Sequence, residues 1–243
     1  MNDFKIWPIG KIPKEFERPE LDQVRELGYD WKDPWDVVEM FEQEVSDFAG
    51  CKYGIAVDNS TNGIFLCLKY LWKEYYGMRQ FPEEITIPSR TYCSVPMTIM
   101  NAGYRVKFED VEWSGVYQLK PYNIWDGATR WTKGMYVGDD AIQVVSFQIK
   151  KRVPIGRGGM ILTDSKEEYD WFKYASYDGR NLREYYMDDK FALIGYHMYM
   201  TPEDAARGII LMDSVPEVNE DTGDSTSYSD LSDREVFKDY LGE

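Results

Sequence analysis

The chain has 243 residues, 43% of them hydrophobic, which supplies one large globular core or a domain with an appendage. A formal charge of −15 excludes a nucleic-acid-binding surface, because phosphate backbones need a basic stripe that is not found here, and a single histidine, His197, excludes chemistry that needs two, such as HExxH zinc hydrolysis. No apolar run approaches the roughly 18 residues of a membrane span, and the first residues lack the order of a signal peptide, so a soluble cytoplasmic protein without membrane attachment is expected.

The first 35 residues are rich in proline and charge and read as an extended arm. From Asp36 to Phe48, Val37, Val38, Phe41, Val45 and Phe48 recur near helical spacing, with Gly50 as a stop. A short strand, YGIAVD at 53–58, leads through Asn59-Ser60-Thr61-Asn62-Gly63 into the apolar helix IFLCLKYLWKEYY. Further elements follow: strand 85–88, a helix near 94–102, strand YRVKFED, strands at 123–126, 141–147 and 159–164, and helices 166–176 and 202–213. Strand and helix alternating over short connections predict an α/β fold, a mainly parallel central sheet with helices on both faces, which binds ligands at the carboxyl ends of its strands. After Met212 the chain is acidic and Ser/Thr-rich and reads as a mobile linker, with one last helix opening at a Ser232 cap. The expected division is an arm (1–35), a large domain (36–213), and a linker with a short helix (214–243). Cys51, Cys67 and Cys93 lack metal-type spacing and suit buried thiols in a reducing compartment.

Three constellations carry chemistry. Ser60 and Thr61, with Asn62, open a helix after a strand, where free amides and the helix dipole favour a phosphate; the same residues also serve as a plain helix cap. Asp126, in NIWDGA, ends a buried run before two small residues, where a carboxylate can face a ring nitrogen; a turn aspartate before glycine reads the same way. In VVSFQIKKRVPIGRGG, Ser146 ends a strand, Lys151 lies five residues on, and glycines let backbone pass close to a bound group; the alternative is a surface hairpin with solvated lysines.

Taken with GYHMYMTPEDAARGIILM, these blocks resemble, in order and spacing from about residue 36 to 213, the DegT/DnrJ/StrS family of pyridoxal 5′-phosphate (PLP) dependent sugar aminotransferases, of the aspartate aminotransferase fold type I. The resemblance implies that Lys151 bonds the cofactor aldehyde and that Lys150 is a neighbour turned away. It implies that Ser146, Ser60, Thr61 and, more weakly, Asn62 hold the cofactor phosphate. Asp126 would pair with the pyridine nitrogen, Ala128 lie beneath the ring, Tyr92 cover its other face, and Gln148 line the site. A lysine amine reacts with an aldehyde only when neutral, so burial and nearby cationic character must lower its pKa.

The implied reaction is transamination of a nucleotide-linked keto-sugar with glutamate as donor, in a homodimer with shared sites. Against the family pattern, an acidic linker and one short helix are expected where the family has its small C-terminal domain, His197 stands where asparagine usually reaches the partner's cofactor phosphate and either takes that role or packs, and Tyr199 stands where arginine is common. A catalytically silent PLP-fold binding or assembly protein is the alternative from another class. A sugar dehydratase is a third reading, opposed by the retained lysine.

Overall fold

The structure, a computed structural model, describes residues 19–75 and 84–238. Within the region read as an arm, Pro19–Glu26 forms a helix, α1, which buries Leu21 and Val24; residues 1–18 lie outside the described part, as do 239–243 of the last predicted helix. α2 (Pro34–Ala49) starts at a capping box, with Asp33 accepting from the Trp35 amide and Asp36 pairing back, and stops at Gly50 in the left-handed conformation.

Among the described residues seven strands follow: β1 (Tyr53–Val57), β2 (Glu84–Pro88), β3 (Arg105–Glu109), β4 (Tyr117–Gln118), β5 (Ile124–Asp126), β6 (Ile142–Ser146) and β7 (Gly159–Thr163). Five of them make one sheet in the order β1-β7-β6-β5-β4, and β2 pairs with β3. The Thr86–Lys120 bridge, with N···O distances of 2.9 and 3.0 Å, joins β2 to the chain just past β4. The expectation of a mainly parallel sheet is corrected: only β5–β6 and β2–β3 pair in parallel, while β1–β7, β6–β7 and β4–β5 are antiparallel. The links 119–123 and 147–158 contain no helix, and a turn between neighbouring strands reverses the chain, whereas a parallel pair needs a crossover. Directions nonetheless agree across the sheet: β1, β2, β3, β5 and β6 run one way, with β4 and β7 interleaved against them.

Helices cover both faces, and the strands alternate accordingly. Ile55, Val57, Val144 and Ile161 join the core under α3 (Ser60–Tyr75), α4 (Ser94–Asn101) and α5 (Lys166–Ser176). Ala56, Val145, Met160 and Leu162 face the opposite core with α1, α2 and α6 (Pro202–Met212). Gly208 lets α6 lie against α2, since a Cβ there would meet the Phe41 ring at 2.5 Å. Of the cysteines, Cys67 is buried, Cys51 half-buried and Cys93 exposed, so buried thiols describe only part of the set. The last helix, α7, runs only over Glu235–Lys238 in the described residues. Ser232 does not cap it; its amide and hydroxyl both donate to Asp230.

Candidate active site

Because the five codirectional strands share an end, Val57, Pro88, Asp126 and Ser146 finish on one rim of the sheet. A cleft of about 540 Å³ opens there, lined among others by Ser60, Thr61, Tyr92, Asp126, Ala128, Ser146, Gln148, Lys150 and Lys151. The sequence-selected residues thus converge, with two exceptions. Asn62 is not among the lining residues: its side chain donates to Asp58 at 2.8 Å, and its amide donates to the Asn59 side chain at 2.8 Å, which caps α3. His197 also lies apart from the cleft lining; its ring Nδ1 is 2.9 Å from Asp178 Oδ2, its edge meets the Tyr199 ring, and it is exposed.

Lys151 is half-buried after a turn in which its amide donates to the Gln148 carbonyl. Burial pulls its amine below the ordinary lysine value, and the Asp126 carboxylate pulls the other way. Of the two expected causes, burial is the one that favours a neutral nucleophile, and the charged neighbour is an acid rather than a cation. Lys150 is exposed and borders the cleft; its amide is held by Gln148 Oε1 at 2.8 Å. The Gln148 side chain thereby braces the turn.

Asp126 is 7% exposed. Burial pushes its carboxyl up, against the Tyr117 hydroxyl, the Ala128 amide and Lys151, each of which favours the ionised form. Oδ2 accepts from Tyr117 at 2.7 Å and Oδ1 from the Ala128 amide at 2.9 Å. The first turn of α3, whose first amides have no intrahelical acceptor, also lines the cleft. The Thr61 hydroxyl lies 2.8 Å from that of Ser94, another lining residue, and Ser146 is close by in sequence to the glycine turn that closes the wall.

Sequence reasoning missed Thr91, Ser94, Trp113, Tyr117, Thr129 and Arg157. It also missed a whole wall. Residues 214–231, expected to be a mobile linker, cross the site as a strap and bring Thr222, Ser227 and Tyr228 into the lining. Asp221 receives Arg130 Nε and Nη2 at 3.1 and 2.9 Å; the Thr222 amide donates to Thr129 O, Gly115 N to Gly223 O, Ser225 N to Trp113 O, and Leu231 N to Ser89 O. The Tyr228 ring stacks on Trp113 at 5.8 Å.

The hydrogen bond from Arg130 holds the Asp221 carboxyl below its usual value. A depressed carboxyl contributes stability that is present above the unfolded aspartate value of about 3.9 and is lost as pH falls through the folded one. Asp221→Asn is expected to raise amide hydrogen exchange across residues 217–228 about fivefold, the equivalent of ~1 kcal/mol for a paired but part-exposed group, with α3 unchanged. The wild-type strap should loosen in the same way below about pH 4. Exchange indifferent to both changes would remove the clasp from the account.

A family model described as the DegT/DnrJ/EryC1/StrS aminotransferase family matches residues 14–137 and 127–230. The spore coat polysaccharide biosynthesis protein SpsC of Bacillus subtilis (strain 168) is 27% identical over 220 residues, covering 73% of this chain and 54% of SpsC. The crystal structure of AtS13 from Actinomadura melliaura has a TM-score of 0.65 at 19% identity, covering 81% of this chain and 65% of AtS13. The sugar aminotransferase CalS13 from Micromonospora echinospora gives 0.63 at 16% identity, covering 80% of this chain and 64% of CalS13. These structural likenesses establish a shared fold. The chain spans about half the length of SpsC and just under two thirds of each of these solved structures.

Proposed function

Because the chain belongs to the DegT/DnrJ/EryC1/StrS aminotransferase family, we propose that it binds PLP and transfers an amine from glutamate to a nucleotide-linked keto-sugar. The observation that carries this reading is the meeting of a half-buried amine, Lys151, and a buried carboxylate, Asp126, in one cleft that also holds a helix N-terminus.

The residues present fit the cofactor. A ring nitrogen needs an acid held charged, and Asp126 has donors on both oxygens. A phosphate needs amides and hydroxyls, and Ser60, Thr61 and Ser146, with Ser94 beside them, supply these where the dipole of α3 is positive. An aldehyde needs a neutral amine, and burial favours that form of Lys151.

When bound, PLP supplies an aldehyde that carries the amine and a ring that draws electrons from the reacting carbon. Asp126 would hold a proton on the ring nitrogen, and Lys151 is placed to carry a proton away from and back to the reacting carbon as general base and acid. Tyr92, 59% exposed at the cleft mouth, offers stacking area to the ring, and Ala128 is small enough to lie beneath it. Tyr228, Ser227 and Thr222 of the strap border the remaining space, where the acceptor sugar would sit.

A second reading, a PLP-fold binding protein without turnover, draws on His197 and Tyr199 lying outside the cleft lining. Mixing PLP-loaded protein with excess glutamate separates the two. Transamination predicts stoichiometric 2-oxoglutarate and conversion of the bound aldehyde to pyridoxamine phosphate, seen as loss of the visible band; an unchanged spectrum with no oxoglutarate favours the binding protein. We also propose a homodimer: Tyr185, Tyr186, Met187 and Ile194 are each more than half exposed between α5 and α6, apolar side chains suited to burial against a second copy. Sedimentation of the same loaded sample at the monomer mass would contradict it.

A further inference from the structure

We propose that Tyr117 and Thr91 form a directed hydrogen-bond relay that positions Asp126 and keeps it ionised toward the cleft, making Tyr117 a positioning residue of this site. The inference rests on the reading of Asp126 as the partner of the cofactor's ring nitrogen, and it starts from strand register. Tyr117 on β4 is the direct cross-strand partner of Asp126 on β5, so the two side chains stand on the same face of an antiparallel pair. Both are almost fully buried, at 6% and 7% exposure.

Proton counting fixes the direction. A carboxylate only accepts, so the single phenolic proton of Tyr117 lies in the 2.7 Å contact to Asp126 Oδ2. The 2.6 Å contact between Tyr117 and Thr91 must then be donated by the Thr91 hydroxyl. A donor feeding the phenol oxygen polarises its O–H and strengthens the next bond in the chain. Burial and the neighbouring acid both raise the Tyr117 hydroxyl, so it stays protonated, and a donor, throughout the working range.

The relay meets a specific need. Burial alone works against the charged form of Asp126. The groups facing it are Tyr117 from β4, the Ala128 amide from its own turn, Lys151 from the turn after β6 and Tyr228 from the strap. Lys151 would be neutral in the reactive state and Tyr228 is neutral, which leaves Tyr117 and one amide to hold the charge. Thr91 lies next to Tyr92, so the segment between β2 and α4 supplies both the residue proposed to cover the ring and the origin of the relay.

The test uses the whole 243-residue chain and two readouts. In the apoprotein, the Asp126 carboxyl carbon titrated by NMR should have its midpoint raised in Tyr117→Phe, and raised by less in Thr91→Val. With ¹⁵N-labelled PLP, wild type should show a protonated ring nitrogen, Tyr117→Phe should move that signal toward the unprotonated position, and its dissociation constant for PLP should rise about tenfold to a hundredfold, as for loss of a hydrogen bond to a charged group. On an Asp126→Asn background, adding Tyr117→Phe should change PLP affinity less than twofold, since the relay then has no charge to hold; a merely structural tyrosine would cost as much on either background. Should Tyr117→Phe fold poorly, Thr91→Val, which leaves the phenol in place, decides the matter. An Asp126 midpoint unmoved by both substitutions overturns the relay whether or not PLP binds. Wild-type protein with a displaced Asp126 midpoint in the variants but no affinity for PLP would overturn the cofactor reading and, with it, the relay's role toward the ring.

Discussion

Lys151→Ala is expected to abolish the covalent attachment of PLP and to lower turnover by a factor on the order of 10²–10⁴ from lost proton transfer alone, while Lys150→Ala keeps both the attachment and most of the activity. The two lysines are neighbours in the chain and both reach the cleft, so the difference is one of environment. Lys150 is exposed, whereas Lys151 is half-buried, and desolvation lowers its pKa so that a larger share of its amine is neutral. The Asp126 carboxylate limits that lowering, which keeps the amine from losing its basicity. Activity and visible absorbance of the two variants check this directly, and the opposite pattern would reassign the nucleophile to Lys150.

Gly159→Ala is expected to destabilise the fold by about 1–3 kcal/mol and to weaken PLP binding at least tenfold, although the residue reaches no ligand itself. Gly159 opens β7 and pairs on one side with Val57 of β1 and on the other with Ser146 of β6. A Cβ there would lie 2.5 Å from the Ser60 amide nitrogen and 2.8 Å from Asn59 C and Ser60 Cα. Those atoms are backbone at the start of α3, so the methyl group fits only if the helix N-terminus moves away from the strand end that carries Ser146. That movement opens the place proposed for the cofactor phosphate. Thermal melting and a PLP titration at a temperature where the variant is fully folded separate the two effects; a destabilised variant with unchanged affinity would detach the phosphate from the α3 terminus.

Much of this arrangement is legible in the sequence where it depends on local pattern. The helical spacing of Val37, Val38, Phe41 and Val45 marks α2, and the short apolar runs at 53–58 and 141–147 contain β1 and β6, because a face that must be buried leaves a period in the chain. Strand ends followed by small or hydroxyl residues then mark the rim that holds Asp126, Ser60 and Ser146. Strand direction was less accessible. It depends on whether a link crosses over or turns back, and the segment from Phe147 to Gly158 carries no helical period to distinguish the two. The strap was hidden for another reason. Its order comes from aspartates satisfying particular partners, Asp221 with Arg130, Asp224 with the Thr226 amide and Asp230 with Ser232, and such pairings leave no hydrophobic period, so an acidic Ser/Thr-rich stretch reads as disorder. Tyr117 was missed because its tie to Asp126 is made across two strands, a relation that appears only once register is known.

The most direct measurement of the central claim is borohydride reduction of the wild-type protein incubated with PLP, followed by proteolysis and mass spectrometry of the peptides. Lys151 is expected to carry the reduced pyridoxyl group at close to one per chain. A label on another lysine, or none above the level of a denatured control, would contradict the account.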